Sequence, residues 1–268
     1  MDITLPEPIY AGELSQAELV GAARRTLREH HLARISGYRA TATQFIAFVS
    51  EFGYPLTYYG DTAGSHPDHQ AIHRVRYEHD GSERGELHAS DGPLTVHSAQ
   101  SLRDPRPPYF CMYMVDAGWQ DRAFGLNGES ILTRWEKVFE LIGVSHPHEF
   151  EQLRAAVTAE IPFPDGVSRA LAYPLPDQAG PNDLGIRLKY DLLDYLRGLD
   201  ADSPGYRAVS LVAETAPLAA WHGQLRSGDL VLIDNDRWGH GRHEVSGRRV
   251  GPNGRSDNPR ELWSVTLG

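Results

Sequence analysis

Two distant stretches decide the fold of this chain: Leu94-Thr-Val-His97-Ser-Ala99-Gln-Ser101 and Asp229-Leu-Val-Leu-Ile-Asp-Asn-Asp-Arg-Trp-Gly-His240-Gly-Arg242. In each, strand-forming residues lead to a histidine, and their leucine and β-branched side chains suit a pleated, buried surface. Two opposed strands can aim two imidazoles at one ion, which makes His97 and His240 candidate metal ligands. The chain has 13 histidines, so neither would stand out without this context. Imidazole nitrogen suits iron, zinc, copper or nickel, and the pair alone does not choose among them.

Outward from these stretches, the sequence alternates short apolar runs with amphipathic segments. Ser15-Gln-Ala-Glu18 and Thr41-Ala-Thr-Gln44 are capping-box patterns. They predict a helix over 15–30 and a second one whose Phe45, Phe48, Val49 and Phe52 form a buried face. Strands are expected at 32–35, 70–77, 94–96, 109–115, 208–213, 229–233 and 261–267. Further helices are expected from Thr133 to Gly143, over 149–160 and over 186–196. Residues 161–185 are rich in Pro, Gly and Asp without periodicity, as in a lid or loop. Helices early and in the middle, with short strands around the motifs, favour a mainly β architecture. The expected fold is an antiparallel double sheet of jelly-roll type flanked by helices, not an alternating α/β fold.

With 268 residues and 40% hydrophobic content, the chain can bury one sizeable core. We read 1–268 as a single domain with a lid insertion around 145–205. A net charge of −10 argues against a nucleic-acid polymer or an anionic membrane as partner. No apolar run nears the ~20 residues that span a bilayer. Cys111 is the only cysteine, so no intrachain disulfide forms, which fits a reducing cytoplasm. The first residues lack the basic-then-apolar pattern of a signal peptide. A cytoplasmic protein acting on a small molecule is expected, and the sequence does not set its oligomeric state.

The motifs, taken in order, resemble the iron(II)- and 2-oxoglutarate-dependent oxygenases of the taurine dioxygenase and clavaminate synthase type. The matching segments are His31-Leu-Ala-Arg-Ile-Ser-Gly-Tyr with the helix from Thr41 to Gly53-Tyr-Pro, His97 with Ser101 and Pro107-Pro108, and Asn127-Gly-Glu-Ser130. The closest are Gly228 to Asn235 with His240-Gly-Arg242, and Arg260-Glu-Leu-Trp-Ser-Val. The resemblance spans most of the chain and is least over 145–205. It implies a cupin-like double-stranded β-helix, with Fe(II), 2-oxoglutarate and O2 as cofactors. His97 and His240 would be the metal ligands. Arg260 would hold the distal carboxylate of 2-oxoglutarate through paired charge-assisted hydrogen bonds. Ser130 would add a hydroxyl to it, and Arg242 would orient the cosubstrate or a halide. Arg248, Arg249 and Arg255 compete with Arg260, but their Gly-rich surroundings suit a solvated loop.

One position departs from the pattern. The facial triad of this chemistry has two histidines and one carboxylate, and the carboxylate belongs two residues after the first histidine. Here that residue is Ala99. Three explanations compete. A halide fills the vacated position, as in the aliphatic halogenases that this His-x-Ala pattern resembles, and chlorine is returned to the substrate carbon in place of hydroxyl. Alternatively, another carboxylate (Asp91, Asp104 or Asp234) or water completes the site and the enzyme hydroxylates. In the third case the site is disabled and the protein only binds. Losing a negative side chain leaves room for one chloride, so the first reading leads.

For the substrate, candidate anion contacts are His73, Arg74 and Arg76, with Arg187 and Lys189 from the expected lid. Tyr58, Tyr59, Trp119, Trp221 and Trp238 are candidates for stacking on a base. The chain is similar to nucleotide halogenases of purine antibiotic pathways, which implies a nucleotide or nucleoside, with a free amino acid next.

Overall fold

A computed structural model describes residues 3–57, 64–86, 89–245 and 259–268. Two β-sheets face each other. The larger is seven-stranded and follows the path Ile9–Tyr10, Leu32–Ser36, Leu230–Asp234, Tyr109–Asp116, Glu261–Leu267, Pro55–Leu56, with His73–Arg76 also pairing to Glu261–Leu267. The smaller has four antiparallel strands in the order Ala220–Gly223, Ser130–Arg134, Trp238–Arg242, Leu94–His97. This is the expected double-stranded β-helix with flanking helices.

The period-2 alternation of the central strands explains their nearly continuous apolar sequence, because both faces are covered. Leu230, Leu232, Cys111 and Tyr113 point outward, where Leu19, Ala23, Phe45 and Phe48 of the two N-terminal helices cover them. Val231, Ile233, Phe110, Met112 and Met114 point inward and pack between the sheets with Leu132, Trp238 and Ala99. Both helices carry the capping boxes read from the sequence: Ser15 and Thr41 accept from the backbone of Glu18 and Gln44, whose side chains reach back. Each fully buried large side chain of these faces contributes about 1.5–3 kcal/mol.

The outer face of the smaller sheet is covered by the helices Trp135–Ser145, Phe150–Thr158, Leu192–Asp200 and Pro204–Thr215. Here the structure departs from several sequence expectations. Residues 208–213 belong to a helix, not a strand. Ser203 caps it by accepting from Tyr206 N, Pro204 sits in its first turn, and Ala208, Val209, Val212 and Thr215 face inward at helical spacing. The local run Ala-Val-Ser-Leu-Val-Ala favours extension, but helical packing partners override that preference. Thr133 and Arg134 end a strand, and the helix expected there begins at Trp135 and runs past Gly143 to Ser145. Residues 186–191 are not helical; the helix starts at Leu192.

The aperiodic 161–185 segment is built from short hairpins. Ile161, Phe163, Leu171, Ala172 and Leu184 are buried in the same apolar cluster as Val96, Ile131 and Trp135. Strands of three residues are too short to show a period, which is why the pattern was invisible. Among the described residues, no helix is long and apolar enough to cross a membrane.

Candidate active site

A cavity of about 480 Å³ opens between the two sheets, and His97, Ala99, Ser130, His240, Arg242 and Arg260 all line it. These residues come from four separate segments of the sequence, and only the closed double sheet brings them together. His97 and His240 are direct cross-strand partners of the antiparallel pair Leu94–His97 and Trp238–Arg242. Their ring centroids lie 4.3 Å apart. His240 therefore lies within a strand, not after one as its sequence context suggested.

The chemistry of the two rings suits metal ligation. His97 Nδ1 lies 2.8 Å from the carbonyl oxygen of Thr95. Only a protonated nitrogen can donate to a carbonyl, so Nε2 carries the lone pair. Burial pushes the His97 imidazole below its ordinary pKa, and Lys189 adds to the shift despite the opposing Thr95 bond. Burial, then the neighbouring His97, pushes His240 well below the ordinary range. Both are neutral, the form that binds metal. The His240 ring stacks on Phe110 at 4.3 Å. Its Nδ1 is buried with no hydrogen-bond partner among the described residues.

Among the described residues, no group of three His, Cys, Asp or Glu side chains is arranged to hold a metal. The carboxylates considered from the sequence are engaged elsewhere. Asp104 binds Arg169 at 3.0 Å and Arg187 at 2.7 Å. Asp234 binds Arg237 at 2.9 Å and faces His31 at 3.4 Å. Asp91 borders a small separate recess behind Arg242 and Arg260. The position two residues after His97 is Ala99, whose methyl group faces the cavity at 6% exposure.

The cationic end of the cavity is built from Arg242, Arg260 and Ser130. Burial, then repulsion from Arg242, pushes the Arg260 guanidinium down to about 9, against an opposing pull from Glu129. Burial lowers Arg242 to about 10, opposed by Asp91. Arg242 Nη2 donates to the carbonyls of Ser90 and Gly92, while its Nε is buried without a partner among the described residues. Ser130 is buried and pairs across the sheet with Arg242. Two desolvated guanidiniums side by side favour a bound anion with more than one acceptor oxygen. This arrangement fits a dicarboxylate cosubstrate.

Gly128 allows the turn before Ser130. Its φ is +69°, and a Cβ there would lie 2.8 Å from Arg260 Nε. Only glycine combines that backbone with so close an approach. Glu129, a buried carboxylate that sequence reading passed over, accepts from Asn127 N at 3.1 Å and Asn127 Nδ2 at 3.0 Å. Burial opposes its ionisation, but these bonds win and its pKa is lowered.

The expected substrate contacts divide. His73 lines the cavity, but Arg74 and Arg76 do not. Arg74 forms a two-point ion pair with Glu261 at 2.9 and 3.2 Å, and Arg76 binds Glu78 at 2.7 Å. The strand's alternation turns 73 and 75 inward and 74 and 76 away, so the basic pair is a structural brace. Arg187 is likewise held by Asp104, whereas Lys189 lines the cavity with Tyr190. Lys189 is paired with Asp191 and sits 4.3 Å over the Tyr190 ring. Trp238 is buried between the sheets, Trp221 meets Arg34, and neither they nor Trp119 line the cavity. Tyr58, Tyr59, Arg248, Arg249 and Arg255 lie outside the described residues.

Asn235 also changes its part. The Asp-Asn pair after the strand Leu230–Asp234 reads from sequence as a brace for the second histidine. Instead, Asn235 holds Ala99: Ala99 N donates to Asn235 Oδ1 at 2.9 Å, and Asn235 Nδ2 donates to Ala99 O at 3.0 Å.

No protein-family model matches this chain, and no curated protein matches it in sequence. Solved structures do match. An asparagine oxygenase, AsnO, is 15% identical with a TM-score of 0.64, over 94% of this chain and 78% of that one. A variant of the non-haem iron oxygenase OrfP bound to (3S)-hydroxy-L-Arg is 15% identical with a TM-score of 0.62, over 96% of this chain and 79% of that one. PvcB from Pseudomonas aeruginosa is 18% identical with a TM-score of 0.59, over 98% and 83%. These likenesses establish that the chain has the fold of the non-haem iron oxygenases. A further OrfP structure contains Fe and alpha-ketoglutaric acid.

Proposed function

We propose that this protein is an iron(II)- and 2-oxoglutarate-dependent halogenase that chlorinates an unactivated aliphatic carbon of a freestanding small molecule. The observation that carries the reading is the pairing of two neutral, adjacent imidazoles with Ala99 in the carboxylate's place, on one cavity. Bound iron, with O2 and 2-oxoglutarate, would supply the oxidising power for removing hydrogen from carbon. His97 and His240 hold the metal as neutral donors. Arg260, Arg242 and Ser130 hold the carboxylate end of 2-oxoglutarate. Ala99 contributes neither charge nor bulk, which leaves one anion's place for chloride. Of the segment around 145–205, Lys189 and Tyr190 line the cavity and form its part of the cover, while the rest packs on the outer face of the smaller sheet.

A nucleotide or nucleoside is the first substrate class to test, and a free amino acid the next. Lys189 lines the cavity but is already paired with Asp191, so the phosphate of a nucleotide or the carboxylate of an amino acid would have to share its ammonium with that partner. A second reading is a hydroxylase with water in the vacated position; among the structural neighbours are an asparagine oxygenase and an oxygenase variant bound to (3S)-hydroxy-L-Arg. One experiment separates the readings: aerobic incubation with Fe(II), 2-oxoglutarate and chloride against panels of nucleotides and amino acids. Succinate plus a product with the chlorine isotope doublet is the expected result. Hydroxylation indifferent to chloride would establish the second reading, and no succinate with any substrate would leave a binding protein.

A further inference from the structure

We propose that Asn235 is the positioning residue that keeps the vacated ligand place open for the halide, by fixing the backbone of Ala99. This inference rests on the halide reading above. A missing carboxylate is by itself a poor anion site, because the peptide that carries it is free to turn its carbonyl oxygen inward. That oxygen is the negative end of a dipole. Turned into the cavity, it would occupy the place and repel an anion.

The structure prevents this turn. Asn235 is fully buried at 0% exposure and is not among the residues lining the cavity. Its amide grips both polar groups of residue 99, taking the N–H on Oδ1 at 2.9 Å and giving Nδ2 to the carbonyl at 3.0 Å. The remaining Nδ2 proton goes to Pro107 O at 2.9 Å. The main chain of Asn235 is tied as well, through its N to Pro108 O at 2.8 Å and from Arg106 Nη2 to its O at 2.8 Å. Every polar group of Asn235 is thus used. Both dipoles of Ala99 point into the protein, and only its methyl group faces the cavity.

The neighbours of Ala99 are fixed separately. Ser98 Oγ donates to Ile186 O at 2.7 Å, and Gln100 takes a φ of +43° with its Nε2 2.5 Å from Thr266 Oγ1. Asn235 is therefore the residue that acts on position 99 itself. It also joins the loop after His97 to the turn before His240, so one amide spans both histidine segments.

The test is chloride titration of the anaerobic Fe(II) and 2-oxoglutarate complex, read in its visible charge-transfer absorption. Asn235→Ser removes the grip, and Asn235→Asp keeps its size but cannot donate to either carbonyl. Asn235 bonds Ala99 and neither histidine side chain, so its loss should act on the place beside Ala99 and not on the metal ligands. We expect chloride to bind about tenfold or more weakly in both variants, while Fe(II) and 2-oxoglutarate affinities stay within about threefold. Product should shift from chlorinated to hydroxylated. A parent response with unchanged chloride affinity in the variants overturns this proposal alone. A parent that does not respond to chloride overturns the halide reading and this inference with it. Should neither variant fold, hydrogen exchange of the Ala99 amide in the parent decides. Protection comparable to the central strands is expected, and rapid exchange overturns the clamp.

Discussion

Placing a carboxylate two residues after His97, Ala99→Asp, tests the proposed halide position directly. Ala99 is 6% exposed and its methyl group borders a cavity of about 480 Å³, so the larger side chain fits without moving backbone. Without metal, the new carboxylate sits at the edge of the apolar cluster that contains Phe110, Met112 and Leu132. Burial raises its pKa above the ordinary ~3.9. The folded value then exceeds the unfolded one, so stability is unaffected below about pH 4 and is lost as pH rises through the folded value. At pH 7 the cost is about 1–3 kcal/mol. In a chain of this length each kcal/mol moves Tm by about 2–4 °C, so metal-free Tm should fall by roughly 2–12 °C at pH 7 and the gap should close near pH 4. Adding Fe(II) or Mn(II) anaerobically should reverse the order, because a third ligand tightens the metal and metal bound only to the folded state stabilises it. In aerobic assays, succinate formation continues while chlorination falls to about a tenth of the parent or less, since coordination of the carboxylate takes the halide's place. Chlorination equal to the parent, with the same chloride dependence, would refute the placement of the halide at Ala99.

Two further outcomes follow from the charged groups. Arg260→Gln should weaken 2-oxoglutarate binding by roughly 10- to 150-fold, the loss of one charge-assisted hydrogen bond worth about 1.5–3 kcal/mol. Calorimetry or the charge-transfer band would measure this, and an affinity within threefold of the parent would remove Arg260 from the cosubstrate site. Arg237→Met should cost about 3–5 kcal/mol, or roughly 6–20 °C in Tm. It strips the partner from Asp177, Asp183 and Asp234, which Arg237 meets at 2.7, 3.1 and 2.9 Å. Arg237 lowers Asp177, and Asp234 is lowered too, with the bonds to His31 and Arg237 outweighing burial. Depressed carboxylates stabilise the fold above about pH 4, and that contribution fades as pH falls through their folded values. The parent should therefore lose Tm steeply below pH 4 and the variant less so; parallel curves would show that Arg237 does not set these carboxylates.

Much of this protein was legible in the residues themselves. The capping boxes at Ser15 and Thr41 are local hydrogen-bond grammar, so they read correctly without a fold. The central strands were visible because burial on both faces leaves an uninterrupted apolar run. His97, His240 and Ala99 could be singled out because a motif fixes which residue follows which at short range. What failed was whatever depends on a distant partner. The run at 208–213 looks extended until helices pack on it, and three-residue strands at 161–185 are too short to carry a period. Arg74, Arg76 and Arg187 looked like anion contacts because a sequence cannot show that Glu261, Glu78 and Asp104 already satisfy them. Asn235 looked like a brace for its near neighbour His240, yet its amide is spent on Ala99, 136 residues away. Sequence alone determined that Ala99 stands two residues after His97, where the resembled motif has a carboxylate, and that His97 and His240 are both present. The tertiary structure alone decided that those histidines meet on adjacent strands, that the two arginines line one buried end of the cavity, and that the buried Asn235 amide bonds the backbone of Ala99. The reason is physical: identity at a position is local, whereas proximity, burial and the satisfaction of charge exist only once the two sheets have closed.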